Sequence, residues 1–153
     1  MSDKIQALHS AMSANYLDNI QKSKKKYAAL LEPLCRRYDL TRNELDILLF
    51  LANNPGFDRA ADIVSMRQIA KSHVSLSVGN LEKRGLLLRQ SGATDRRSAH
   101  LKLTEAATDV VREGRILQQQ FFRQVFDGLD PEELVQFGST LMKICSNIEK
   151  ITD

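Results

Sequence analysis

A mainly α fold, a winged helix-turn-helix with a two-stranded β wing carried between long N- and C-terminal helices, is predicted by three features of the sequence. Apolar residues recur at helical spacing through residues 4–38 and again from Glu105 onward. Three short helical segments follow one another between Thr41 and Arg84. Beyond Gly85 the period changes to that of strands, giving a hairpin with a polar, basic tip.

Residues 4–38 read as one long helix or two abutting ones. Ile20, Ser23, Tyr27, Leu30 and Leu34 step by three and four, and Ile5, Leu8 and Met12 continue the stripe upstream. Pro33 removes a helix hydrogen bond and crowds the preceding turn, so a kink is expected there. Thr41, with Glu44 three residues on, forms a capping box that opens an apolar helix over 42–53, and Asn53-Asn54-Pro55-Gly56 ends it. Asp58 to Ser65 and Ser72 to Arg84 are two further short helices, the second terminated by Gly85.

Leu86 to Gln90 is a strand candidate, residues 91–97 are a polar tip, and Ala99 to Leu103 alternates as a half-buried strand does. From Glu105 to Phe126 the pattern is helical again. Asp130-Pro131-Glu132-Glu133 then supplies a cap, a proline at the first helical position and acids in the first turn of a last helix. Along it Leu134, Phe137, Leu141, Ile144, Ile148 and Ile151 recur at alternating steps of three and four. That average is the seam of a helix packed lengthwise against another.

With 153 residues, the chain is one domain, or one domain with an assembly element. Its longest uninterrupted apolar run, Ile47 to Ala52, is far short of a membrane span, and the amphipathic N-terminus lacks the apolar block of a signal peptide. A cytoplasmic protein with no membrane partner is expected. Cys35 and Cys145 are too few and too far apart for a disulfide framework, and His9, His73 and His100 have no metal-ligand spacing. The sequence contains neither GxxxxGK[ST] nor GxGxxG, and no local signature unites a nucleophile, a base and an orienting group. The expectation is a non-enzyme without metal or cofactor.

The net charge of +3 hides a strong asymmetry. Residues 58–104 hold nine Lys/Arg against four acids, and residues 21–42 seven against two, whereas residues 105–153 hold five against nine. A basic middle suits a polyanion, because neutralising phosphates releases condensed counterions. A solvated basic face without a partner is the plain alternative.

Three helices and a hairpin, in that order, place the third helix in a major groove and the hairpin on a neighbouring groove or backbone. At about 100° per residue, Val74, Ser77, Val78 and Leu81 of that helix face the core. Ser72, His73, Leu76, Gly79, Asn80 and Lys83 face outward, with Ser75 at the boundary. An exposed leucine among small polar residues is suited to touch a thymine methyl. Gly79 costs the helix about 1 kcal/mol relative to alanine, which fits a close backbone approach. The competing reading makes Ser75 and Ser77 filler and His73 a solvated cap residue.

Asp95-Arg96-Arg97-Ser98-Ala99-His100-Leu101-Lys102-Leu103-Thr104 resembles the wing signature DxRxxxLxLT of the MarR (multiple antibiotic resistance regulator) family. The stretch from Val74 to Leu86 resembles that family's recognition helix and following turn. Leu103-Thr104-Glu105-Ala106-Ala107 resembles its LTxxG helix entry, with Ala107 where glycine is usual. With the flanking helices, the resemblance covers nearly the whole chain. Residues 60–73 depart from the commoner ELA-type helix and glycine turn, and look like a sub-branch reading DIVxxRxxxKSHVS.

The resemblance implies a homodimer held by residues 1–40 and 105–153, with Leu134, Phe137, Leu141, Ile144 and Ile148 in the contact, and a DNA-binding region over 41–104. It implies a repressor that binds double-stranded DNA at a pseudo-palindromic operator and is released by a small aromatic ligand. Lys71, Ser72, His73, Ser75, Leu76, Asn80 and Lys83 of the third helix then meet DNA, Ser72 capping that helix and Lys71 lying near phosphate. On the wing, Arg97 enters the minor groove, and Asp95 holds Arg96 and Arg97 in place. Narrow A·T-rich grooves attract arginine, and pinning the side chain beforehand lowers its entropy loss. Without the resemblance, Asp95 and Arg97 are a surface ion pair.

One branch of the family senses peroxide through a cysteine near the N-terminus. Cys35 is not so placed and reads as a buried structural thiol, and Cys145, beside Ile144, as core. Phe121, Phe122 and Phe126 are candidates for a ligand cleft but read first as packing. The rival function is a helical interaction scaffold that uses the 134–151 seam, with a vestigial winged helix.

Overall fold

The computed structural model of the chain describes Gln6, residues 16–90 and residues 99–151. Among these residues the element order is α1 (Tyr16–Arg37), α2 (Arg42–Asn53), α3 (Ala60–Arg67), α4 (Lys71–Lys83), β1 (Leu87–Gln90), β2 (His100–Leu103), a 3-10 turn (Glu105–Ala107), α5 (Thr108–Val125) and α6 (Pro131–Ile148). The expected upstream stripe of Ile5, Leu8 and Met12 lies outside the described residues. By backbone contacts the chain divides into two compact units, Met1–Gln118 and Gln119–Asp153.

In the first unit α2 is the centre. Leu45, Ile47, Leu48, Leu49 and Phe50 are all buried, so the helix is apolar around most of its circumference, as a helix packed on several sides must be. Leu31, Leu34 and Cys35 of α1, Ile63 of α3, Val74, Val78 and Leu81 of α4, Leu87 and Leu101 of the wing, and Val110 and Val111 of α5 complete one core. Helix α1 continues through Pro33. It ends with Asp39 in the left-handed region at φ 51° and the Leu40 amide bonded to the Cys35 carbonyl at 2.8 Å, the hydrogen-bond closure that terminates helices at such residues.

The capping box at α2 is present in full: Thr41 Oγ1 accepts from the Glu44 amide at 3.2 Å, and a Glu44 carboxylate oxygen accepts from the Thr41 amide at 2.8 Å. Helix α3 starts at Ala60 rather than Asp58. The backbone there is drawn into the wing instead: the Asp58 carbonyl accepts from the Leu101 amide at 2.7 Å, and Arg59 bridges His100 as an antiparallel partner. A tertiary strand contact thus overrides the local helix pattern. The turn after α3, which lacks a glycine, is made by Gln68 at φ 54°, whose side-chain amide donates to the Ser65 carbonyl at 2.8 Å.

Strands β1 and β2 pair antiparallel with Leu87 opposite Leu103 and Gln90 opposite His100. Gly85, at φ 69°, ends α4 with the Leu86 amide bonded to the Leu81 carbonyl. Thr104 closes the base of the hairpin, its hydroxyl donating to the Gly85 carbonyl at 2.6 Å.

The second unit comprises the end of α5 and α6. Asp130 caps α6 with a full capping box and Pro131 stands at its start, as expected. Phe122 stacks on Phe126, and Phe126 meets Phe137 at a tilted 5.7 Å, so these rings serve packing. No residue of α6 is buried. Leu134, Phe137, Leu141, Ile144 and Ile148 are 37–60% exposed. Cys145, expected in the core, is exposed too, because no residue of this helix is buried among the described residues. No described helix is long and apolar enough to cross a membrane.

Candidate nucleic-acid interface

Helix α4 divides as its sequence periodicity requires. Val74, Ser77, Val78 and Leu81 are buried; Lys71, Ser72, His73, Ser75, Leu76 and Lys83 are exposed; Gly79 and Asn80 are half-buried. Leu76 is 65% exposed, a large apolar side chain left in water in the middle of a polar face. The outward face therefore has no partner in the core, whereas the inward face fixes the helix against α2 and α3.

The start of α4 differs from expectation. The His73 and Val74 amides both bond to the Ala70 carbonyl, at 2.9 and 3.1 Å, so the helix begins at Lys71 and Ala70 stands at the cap position without a side-chain bond. Ser72 is consequently a first-turn residue facing solvent, not the cap.

Beside the outward face, a cleft of about 240 Å³ separates α4 from the start of α2. Thr41, Asn43, Glu44, His73, Leu76 and Asn80 border it. Glu44 is only 4% exposed. One of its oxygens closes the capping box, and the other accepts from Asn80 Nδ2 at 3.1 Å. The capping-box pattern of Thr41 and Glu44 accounts for the first of these bonds alone. The second joins residues 36 apart, and nothing local signals such a pairing.

Arg84, just past α4, donates to the Tyr38 carbonyl at 2.7 Å and to the Asp39 carbonyl, tying the end of α4 to the α1–α2 turn. Arg89 of β1 is held by Glu82 at 3.1 Å. At the base of the wing His100 Nδ1 lies 2.7 Å from Asp58 Oδ1. Asp95, Arg96 and Arg97, the expected wing-tip residues, lie outside the described residues. Lys102 on β2 is exposed.

A second concavity, of about 480 Å³, lies between α1 and the first part of α5. Leu30, Pro33, Leu34, Ile116 and Leu117 form apolar walls, with Arg37 and Glu113 also lining it. Arg37 pairs with Glu113, which also accepts from the Tyr38 hydroxyl at 2.9 Å. Cys35 is buried nearby in sequence, and burial raises its thiol pKa above the ordinary value, with Arg42 opposing the shift. The thiol is therefore a poor nucleophile.

Residues 38–98 match the model described as MarR family. Among solved structures, a MarR-family regulator from Silicibacter pomeroyi is 24% identical, covers 92% of this chain and 93% of its own, and superposes with a TM-score of 0.76. A putative MarR family transcriptional regulator from Listeria monocytogenes, solved in complex with a 26mer DNA, is 18% identical with coverages of 88% and 89% and the same TM-score, 0.76. The Bordetella bronchiseptica protein BpsR, whose DNA binding is regulated by 6-hydroxynicotinic acid, is 23% identical with coverages of 84% and 96% and a TM-score of 0.63. At these identities the structural likenesses establish the fold. Residues 38–98 thus carry the sequence pattern of the MarR family, and the fold of the chain is that of solved MarR-family structures.

Proposed function

We propose that the chain is a cytoplasmic transcriptional repressor that acts as a homodimer on a pseudo-palindromic operator. Residues 41–104 bind DNA, and residues 1–40 and 105–153 hold the dimer. The observation that carries this reading is the outward face of α4, where Lys71, Ser72, His73, Ser75, Leu76 and Lys83 stand exposed on a helix whose opposite face is locked in the core. Asn80 contributes its free carbonyl end. The wing adds Arg96 and Arg97, positioned by Asp95, for an adjacent minor groove.

Dimerisation uses the α6 seam of Leu134, Phe137, Leu141, Ile144 and Ile148. Their common exposure on a capped, amphipathic helix supports a second copy as their cover. Two recognition helices in such a dimer read half-sites about 10–10.5 bp apart or a multiple of that. Release is by a small aromatic ligand seated between α1 and α5, where apolar walls meet the Arg37–Glu113 pair. The regulation of the Bordetella protein by 6-hydroxynicotinic acid supports that ligand class.

A gel shift with DNA from upstream of its own gene, run with the wild type and Arg97→Ala, tests the reading. Binding that falls steeply between low and moderate salt, and weakens in the variant without loss of fold, is the expected result. A protein that ignores duplex DNA in dilute buffer, and is instead a scaffold, contradicts it.

A further inference from the structure

We infer that Glu44 sets which kind of base Asn80 reads: it holds the Asn80 amide so that its carbonyl oxygen faces DNA, as an acceptor for a base bearing an exocyclic amino group. The inference rests on the DNA-binding reading above and names a specificity determinant within it. Glu44 Oε1 accepts from Asn80 Nδ2 at 3.1 Å, while Oε2 is fixed by the Thr41 amide at 2.8 Å. A carboxylate has no hydrogen to donate, so only the NH2 end of the asparagine amide can face it, and the carbonyl end is left for the other side.

Asn80 stands where that matters. It follows His73 and Leu76 on the outward row of α4 at spacings that keep all three on one face, and the three border one cleft. In the major groove adenine and cytosine present amino groups, at N6 and N4. Guanine and thymine present carbonyl oxygens, O6 and O4, at the corresponding edge. An outward acceptor therefore attracts the first pair and sets two acceptors against each other with the second. An unrestrained asparagine turns its amide over and accepts either kind. Glu44 removes that freedom, so discrimination comes as much from the excluded pairing as from the favoured one.

Glu44→Gln is the informative substitution. A glutamine carbonyl still accepts from the Thr41 amide and keeps the capping box, but its NH2 end now faces Asn80. The Asn80 amide must then invert and present its own NH2 end to DNA.

Sequences retained by the full-length protein from a random duplex pool give the operator. Each half-site position is then replaced in turn, and affinity is measured by fluorescence anisotropy for the wild type, Asn80→Ala and Glu44→Gln. The wild type is expected to bind adenine or cytosine about three- to tenfold more tightly than guanine or thymine at one position per half-site, the worth of one hydrogen bond. Asn80→Ala loses that preference at that position alone, and Glu44→Gln reverses it. The inference is overturned if Asn80→Ala alters no position, if the wild type prefers guanine or thymine where it does, or if a folded Glu44→Gln keeps the wild-type preference. Thermal melting monitors the fold, and should Glu44→Gln not fold, the Asn80→Ala series decides alone. A wild type that binds no duplex at all overturns the DNA-binding reading and this inference with it. A wild type that binds specifically without the amino-base preference overturns only the inference.

Discussion

His100 Nδ1 lies 2.7 Å from Asp58 Oδ1, and the same two stretches share a backbone bond from the Leu101 amide to the Asp58 carbonyl, also 2.7 Å. The segment before α3 thus acts as a third edge to the wing, and anchors β2 to the helical core. Because both side chains are about one-third exposed, 36% and 37%, the pair is worth only the lower part of the usual range. His100→Ala is expected to lower stability by about 0.5–1 kcal/mol and to speed hydrogen exchange at the Leu101 amide. Unchanged exchange there contradicts the anchoring role.

Two glycines on helices should respond differently to alanine. A Cβ on Gly114 of α5 comes within 2.7 Å of Leu49 Cδ2, and Leu49 is itself buried in the core. Overpacking of this kind costs about 1–3 kcal/mol, against a gain of about 1 kcal/mol in helix propensity. A Cβ on Gly79 meets nothing within 4 Å. Thermal melting should show Gly79→Ala raising the midpoint and Gly114→Ala leaving it unchanged or lower. A stabilising Gly114→Ala would mean that Leu49 yields freely.

Much of this architecture was legible in the sequence, and the failures have identifiable causes. The bounds of α2 came out right because Thr41 and Glu44 form a local capping box, and α6 opens where Asp130 and Pro131 say it should. The two faces of α4 were likewise readable, since one helical period decides them. The start of α3 was misplaced because Asp58 and Arg59 answer to β2, some 40 residues away in sequence. The family resemblance put Ser72 at the cap, but the His73 and Val74 amides bond to the Ala70 carbonyl and start the helix at Lys71. Cys145 was read as core on the strength of its neighbour Ile144, whereas no residue of α6 is buried among the described residues. The Glu44–Asn80 bond depends on two helices crossing, which no local pattern encodes.

Cys35 is expected to stay a protonated, slow-reacting thiol in the folded protein, since burial raises its pKa. The sign follows from linkage. Below the pKa of the unfolded thiol both states are protonated and stability is unaffected. Above it only the unfolded chain ionises, and stability falls with rising pH. Aromatic disulfide reagents should label Cys35 at neutral pH only when denaturant is added. Rapid labelling of Cys35 in a Cys145→Ser background would contradict its burial.

The exposed α6 seam makes the second copy testable. Leu141→Asp and Ile144→Asp place charges on the apolar stripe while leaving the buried core of residues 31–111 untouched. Sedimentation should show a wild-type dimer at micromolar concentration and predominantly monomeric variants, each with near-native helix content. DNA affinity should fall in parallel, because two linked half-site contacts become one. Dimers that persist in both variants would remove α6 from the interface.

The most direct measurement is selection of bound sequences from a random duplex pool by the full-length protein at two salt concentrations. The prediction is a recovered motif of two inverted half-sites with centres about 10–10.5 bp apart or a multiple of that, lost on raising the salt. Recovery of no motif, or of a single unpaired half-site by a monomeric protein, would contradict a dimer that reads DNA through paired α4 helices.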